Sequence, residues 1–437
     1  MLQKLSNHIN QNLPFLKDKK LLIAISGGVD SVVLTHLLST LNFNISLAHC
    51  NFNLRGKESD LDETFVKELG KKLNIETFTI HFKTEEIAYK NKQSTQIAAR
   101  ELRYNWFQEL IKAHNFEFVL TAHHADDNLE TFLINLTRGT GLEGLTGIPE
   151  INGHIVRPLL KFSRVEIINF AKENSIVWRK DKSNASTKYV RNKIRHQIVP
   201  VLKEINPNLL ETFANTSTYL KESQAIIEDK IEEVSSKIIS KEKDFLKFKV
   251  DDILKLSNPK AYLYQLLKAY HFTEFNDVYN LLSAQSGKQV FSKTHILLKD
   301  REFLILSKNI ASNTIEAFLI EENQIKITKP INLTIEEVQE KSTENKQTIY
   351  VDKKHLIFPL KLRKWQNGDF FYPTGMRGKK KLSKYFKDEK ISVLEKQNTW
   401  LLCNKNDAII WVIGYRQDNR FEVNKKENAT IKITLNE

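Results

Sequence analysis

Between residues 21 and 198, short apolar runs alternate with longer stretches in which apolar residues recur every three or four positions. The runs at 21–25, 45–49, 76–81 and 116–122 have strand length, and the stretches at 60–73 and 95–113 have helical period. Parallel strands need a long crossover, usually a helix, so this alternation predicts an α/β fold with a doubly wound parallel sheet. Ligands on such a sheet gather beyond the carboxyl ends of the strands. In the stretch 95–113, Ile97, Leu102, Leu110 and Ile111 are the expected apolar side.

The pattern changes after about residue 206. Residues 209–239 read as one long polar helix whose stripe of Phe213, Tyr219, Leu220, Ile226, Ile227 and Ile231 is interrupted. Helical spacing continues through 250–279, and 289–306 reads as a β-hairpin turning near Lys299 and Asp300. A polar stretch at 339–347 has the composition of a linker. The expected organisation is a catalytic domain at 1–206, a mostly helical domain at 207–338 and a small basic α+β domain at 348–437, with no internal repeat.

Three polar clusters fall where predicted strands end. After the first come Ser26, Gly27, Gly28, Val29, Asp30 and Ser31. Two glycines there free the backbone for a tight turn, and the helix that follows directs unpaired N–H groups at the same point, an arrangement suited to phosphate. The Walker spacing and its lysine are missing. An aspartate beside a polyphosphate points to magnesium or a cationic substrate group. The second cluster runs from His49 to Arg55. The third, from Thr121 to Thr131, holds His123, His124, Asp126, Asp127 and Glu130. If Asp126 opens a helix, Asp127 and Glu130 share its face, fit to hold magnesium or an ammonium group, and His123 or His124 is placed to move a proton. Hard carboxylates favour magnesium over zinc.

Basic side chains accompany these clusters. Arg100 and Arg103 lie on neighbouring turns of the helix 95–113, and Arg191 and Arg195 stand one turn apart, suited to phosphates or to an acidic face. Four glycines between 139 and 147 predict a mobile or tightly folded loop, and Ser163 with Glu166 has capping-box spacing. Towards the end, Lys379, Lys380 and Lys381 interleave with Tyr372, Tyr385 and Phe386, a pattern that combines phosphate attraction with base stacking.

Composition narrows the classes. Lys and Arg number 66 against 53 Asp and Glu, a formal charge of +13 that fits a polyanionic partner, nucleic acid first, or simply a lysine-rich surface. The two cysteines, Cys50 and Cys403, exclude a disulfide framework and a four-thiolate metal site. No apolar run reaches membrane-spanning length and the first twenty residues lack a signal peptide's apolar core, so a cytoplasmic protein without a membrane partner is expected. A dimer is compatible with the sequence.

The loop SGGVDS resembles that of the N-type ATP pyrophosphatases, or PP-loop ATPases, which cleave ATP between the α and β phosphates. With HCNFNLRG from His49, AARELRY, TAHHADDNLET, RGTGLEGLTGI, RPLL and DKSN followed by RNKIRH, all in order between Ser26 and His196, the chain resembles the tRNA(Ile)-lysidine synthetase family. GKKKLSKYF at 378–386 and WVIGYRQDNRF at 411–421 resemble the C-terminal domain of its longer members. The resemblance implies a Rossmann-like PP-loop domain, ATP and Mg2+ as cofactors, and free L-lysine and tRNA(Ile) with a CAU anticodon as partners. It implies ATP at Ser26 to Ser31, lysine at Asp127 and Glu130, proton transfer near His123, and a metal or lysine contact at Asp30, with Asp126 the other magnesium candidate. It implies substrate contact at Arg100 or Arg103 and tRNA contact at Arg191, Arg195 and Lys379 to Lys381. A thiolation enzyme on the same loop needs paired cysteines that this chain lacks. The amidating synthetases share only the loop, and a non-catalytic RNA-binding protein has no use for Asp30, Asp127 and Glu130.

Overall fold

The computed structural model describes residues 1–179, 190–242, 245–309, 317–339, 345–391, 393–423 and 429–436. Asp181, Ser183 and Asn184, and part of the polar stretch 339–347, lie outside them. The chain divides into two compact units, Met1–Asp229 and Lys230–Glu437.

In the first unit, α1 (Leu2–Asn12) precedes β1 (Leu21–Ala24), α2 (Val29–Thr40), β2 (Ile45–Asn51), α3 (Lys57–Leu73), β3 (Thr77–His81), α4 (Thr84–Lys90), α5 (Thr95–His114) and β4 (Phe118–Leu120). Then come α6 (Ala125–Arg138), α7 (Leu142–Leu145), the short strands β5 (Ile151–Asn152) and β6 (Ile155–Val156), and α8 (Arg164–Glu173). The strands order as β3-β2-β1-β4-β6-β5, parallel except for the last pair. The chain leaves β1 towards one edge and returns to β4 on its other side. The carboxyl ends of β1 and β4 therefore flank the crossover point where ligands of open α/β sheets bind.

Packing explains these elements. β1 is apolar on both faces because helices cover both, and α2 buries Val32, Val33, Leu34, Leu37 and Leu38. The expected apolar side of α5 needs correction: Ile97 is exposed, Ala98 and Ala99 are buried, and Trp106, Phe107 and Leu110, with Ile111 beside them, pack on the sheet. Residues 139–148 are tightly folded. The Asn135 side chain donates to the Gly144 carbonyl at 2.8 Å, and a Cβ on Gly147 would stand 2.2 Å from Asn128 Oδ1. The capping box opens α8, with Ser163 accepting from the Glu166 amide and Glu166 from the Ser163 amide.

After α9 (Val190–Lys193), a π-helical turn at Ile194–Ile198 and α10 (Val199–Ile205) comes α11 (Leu209–Ile238), the long polar helix that was expected. Its stripe is only partly apolar in use, since Phe213 is buried while Tyr219 and Ile226 are exposed. In the second unit, helices at Val250–Leu254, Pro259–Leu267 and Phe275–Asn280 accompany a five-stranded antiparallel sheet. Its strand Ile239–Glu242 carries one apolar residue in four, and Phe245–Lys249 mixes lysine with phenylalanine and leucine over too few residues to stand out beside the flanking helices. The expected hairpin is the pair His295–Asp300 and Phe303–Lys308, with Gln289–Phe291 added beside it. Phe318–Ile320 and Leu333–Val338 pair with Leu360–Lys364 and Thr430–Leu435, so they belong with the last domain and not with the segment ending at 338. Among the described residues, no helix is long and apolar enough to cross a membrane.

Candidate active site

At the end of β1, Gly27 adopts φ +86°, a conformation open to glycine, and Gly28 begins α2 without a side-chain cap. The first-turn amides of α2 are left facing the site. Two serines brace this loop: Ser31 Oγ donates to the Gly28 carbonyl at 3.0 Å and accepts from the Ser26 amide at 3.2 Å, while Ser26 Oγ accepts from the Gly28 amide. Val29 is buried beneath. The loop is closed from far along the chain, where the Arg179 amide donates to the Gly27 carbonyl at 2.9 Å. The Arg179 guanidinium reaches Asp62 and Glu58 on α3, and Asp62 also takes Arg55 at 2.9 Å.

The end of β4 brings the acidic cluster to the same place. His124 is the N-cap of α6: its Nδ1 accepts from the Asp127 amide and Asp127 accepts from the His124 amide. The cap thereby pins Asp127 and, one turn on, Glu130 to one face. His124 is 2% exposed, and its Nε2 lies 3.4 Å from Asp127 and 3.8 Å from Asp30. One imidazole thus joins the acidic cluster to the phosphate loop. Burial raises the Asp30 pKa against the pull of His124, and Oδ1 of Asp30 is buried without a hydrogen-bond partner.

Asp126 has a different part. Its oxygens accept from the Arg164 amide at 2.8 Å and from Lys203 at 2.6 Å, and although burial opposes ionisation these partners hold its pKa below the usual carboxylate value. Glu130, 1% exposed, takes Arg195 through both oxygens at 2.6 and 2.9 Å, and the same guanidinium reaches Asp127 at 3.0 Å. Burial keeps the Glu130 pKa raised despite that partner. Arg191 donates to Thr131 at 2.8 Å and stands 3.8 Å from Asp127. Arg191 and Arg195 therefore face the carboxylates, the acidic-face alternative of the sequence. His123 shares a hydrogen bond of 2.9 Å with Thr121, and burial, opposed by Asp127 and aided by Arg157 and Arg191, pushes its pKa down to about 4. Arg100 and Arg103 lie on α5, over the rings of Tyr104 and Phe52 at 4.9 and 5.2 Å.

Sequence reading missed Arg179, Lys203 and the Arg157 side chain, which donates to the Pro149 carbonyl at 2.6 Å from a buried position. Arg179 and Lys203 work through partners distant along the chain; the local signal was the placement of Arg157 and Arg179 at the edges of the RPLL and DKSN motifs.

In the second unit the basic segment forms Phe370–Phe371 paired with Lys380–Lys381. Tyr385 and Phe386 are fully buried core residues, which corrects their reading as stacking platforms. The exposed aromatic is Phe370, with Lys379 3.4 Å above its ring and Tyr372 beside it under Arg420. Lys380 is paired with Asp388 at 2.8 Å, so only Lys379 and Lys381 of the three stand open to solvent.

A parallel sheet whose crossover point holds an uncapped, glycine-turned phosphate loop defines a nucleotide-binding enzyme of the PP-loop class, and the model described as PP-loop domain matches residues 1–202. The TilS substrate binding domain matches 241–310 and the TilS substrate C-terminal domain 360–434. Proteins named tRNA(Ile)-lysidine synthase from Parabacteroides distasonis and Bacteroides thetaiotaomicron are each 38% identical, over 96% and 98% of both chains respectively, and one from Porphyromonas gingivalis is 35% identical over 93% of this chain and 92% of its own. The chain belongs to the tRNA(Ile)-lysidine synthase family of ATP-dependent ligases.

Proposed function

We propose that this protein joins the ε-amine of free L-lysine to C2 of the wobble cytidine of a minor isoleucine tRNA with a CAU anticodon. ATP is cleaved to AMP and pyrophosphate through an adenylated cytidine, and the product, lysidine, reads AUA in place of AUG. The observation that carries this reading is the single buried imidazole of His124 between Asp30 of the phosphate loop and Asp127 of the acid pair. A seat for a polyphosphate and a seat for an ammonium group lie side by side, which is what this pair of substrates requires. The names of the relatives support the same reaction. ATP, free lysine and tRNA meet in the cytoplasm, where we place the enzyme.

In the first step the cytidine O2 attacks the α-phosphorus, an O–P bond forms, and pyrophosphate leaves with the electrons of the bond that breaks. Loop amides and the amino end of α2 stabilise the charge on the leaving group. In the second step the lysine nitrogen attacks C2, the C2–O2 bond breaks, and AMP departs carrying that oxygen. A lysine amine with a pKa near 10.4 arrives protonated and must lose a proton before attack. His123, kept neutral because burial pushes its pKa down to about 4, is a relay that passes this proton on to solvent and not its final acceptor. Asp127 and Glu130 orient the amine.

Asp30 is the residue that fits magnesium, since its buried Oδ1 has no hydrogen-bond partner, whereas both Asp126 oxygens are engaged. When bound, the ion neutralises charge on the triphosphate. The decisive assay is ATP-dependent incorporation of labelled lysine into unmodified minor isoleucine tRNA, with methionine tRNA of the same anticodon as the control. Labelling of the isoleucine tRNA alone is expected; AMP release without labelling would move the assignment to another nucleophile.

For tRNA contact we assign the face of Phe370, Lys379 and Lys381. Replacing Lys379 and Lys381 by alanine is expected to lower the slope of log affinity against log salt by about one for each phosphate left without its lysine. Lys380→Ala should leave that slope unchanged, its charge being held by Asp388. Equal effects from all three lysines would refute the assignment.

A further inference from the structure

The guanidinium of Arg195 occupies the place where the proposed reaction needs the lysine ammonium group. It takes both oxygens of Glu130 and one of Asp127, at shorter range than Arg191 reaches either carboxylate. Asp127 and Glu130 face two guanidinium groups, Arg195 and the more exposed Arg191, so each carboxylate of the pair already has a cation beside it. A lysine ammonium entering alongside both would find the oxygens it needs already taken, those of Glu130 and one of Asp127 by Arg195 and the other of Asp127 by the His124 amide.

The same guanidinium lies within electrostatic reach of Asp30, at the mouth of the phosphate loop. Guanidinium binds phosphate oxygens through the same two-pronged geometry it uses for carboxylates. Arg195 also stands in the π-helical turn Ile194–Ile198, a single turn with one residue more than an α-helix would hold. Such turns are spots at which a helix can change register, and they recur at functional sites.

We propose that Arg195 is a placeholder that closes the lysine seat until ATP arrives, and that the polyphosphate then draws it off Glu130 and Asp127. Binding is thereby ordered, nucleotide before lysine. This rests on the reading of Asp127 and Glu130 as the lysine seat. The exchange keeps the charge at the carboxylates unchanged, since the incoming ammonium replaces the departing guanidinium, and it adds one cation at the triphosphate. It also keeps the nucleophile out of a site that holds no nucleotide with which to activate the cytidine.

The test is calorimetric titration of L-lysine into the full-length protein, with and without the α,β-methylene analogue of ATP and magnesium. Wild type is expected to bind lysine at least about tenfold tighter with the analogue, and by linkage the analogue at least about tenfold tighter with lysine. Arg195→Gln is expected to bind lysine without nucleotide and to lose this coupling. A purely structural role for Arg195 would change the melting temperature and leave the coupling as it is in wild type. Equal lysine affinity of wild type in both states overturns the placeholder while leaving the lysine seat standing. Absence of lysine binding in every state of both proteins overturns the placeholder and the seat together. The wild-type comparison decides the matter even if Arg195→Gln folds poorly.

Discussion

Glu130→Gln is expected to depress lysine transfer by on the order of 10²- to 10³-fold while adenylation survives, because truncating one member of a buried charge pair costs about 2–5 kcal/mol and each 1.4 kcal/mol is a factor of ten. Glutamine keeps the shape of a side chain that is 1% exposed, so α6 and its cap, made by His124 and Asp127, remain in place. The substitution removes the charge that an ammonium group would meet. Adenylation draws on Ser26 to Ser31 and the amides of α2, which do not depend on the charge of Glu130. Two measurements separate the steps: tRNA-dependent exchange of labelled pyrophosphate into ATP for the first, and labelled lysine incorporation for the whole. Parallel loss of both would mean that Glu130 supports the fold of the site and not the second nucleophile.

Asp418→Ala is expected to destabilise the second unit by about 2–5 kcal/mol, since each of two amides left without its acceptor costs about 1–3 kcal/mol. Asp418 is fully buried, and its two oxygens take the Tyr372 amide at 2.9 Å, the Arg420 amide at 2.9 Å and the Arg420 guanidinium at 2.8 and 3.0 Å. Alanine would strand two amides at once, while the Arg420 guanidinium, 40% exposed, keeps access to water. A transition of this unit lowered by roughly 10 °C in calorimetry is the expected reading, given a shift of a few degrees per kcal/mol for a unit of this size. An unmoved transition would show that water replaces the carboxylate at no cost. Asp418 belongs to the motif WVIGYRQDNRF, and its partners assign that motif to holding the Tyr372 segment, and so the Phe370 face, in shape.

How far the sequence could be read depended on how local each signal was. The phosphate loop was legible because two glycines, a preceding apolar run and a following helix all fall within a dozen residues. The carboxylates of α6 were legible for the same reason, Asp127 and Glu130 being three positions apart. What lies between these clusters was not. Nothing near Asp126 announces Lys203 or the Arg164 amide, the contacts through which Asp126 ties elements together, while the Asp30 Oδ1 makes no hydrogen bond. The helical period of residues 250–279 was plain, but the strand Phe245–Lys249 next to it is too short for alternation to declare itself, and its pairing with Phe303–Lys308 is invisible along the chain. Tyr385 and Phe386 show the opposite error. Surrounded by lysines they read as nucleic-acid platforms, yet their spacing on the short helix Leu382–Asp388 turns both inward, and the exposed ring is Phe370 across the ladder.

The clasp between Gly27 and Arg179 has a consequence for the life of the chain as it is made. Strand β1 and its loop are among the first parts to leave the ribosome, but the amide that closes the loop, and the guanidinium that anchors itself on Asp62 from 117 positions away, come near the end of the first unit. Domains mature from the amino end during synthesis at about 5–20 residues per second, so the nucleotide seat is finished late although its glycines are translated early. A ligand that binds only the finished form stabilises it by mass action. ATP, abundant in the cell and consumed here as a reactant, then also favours the completed domain over its incomplete precursors, and a chain truncated before Arg179 would carry the signature loop without its closure.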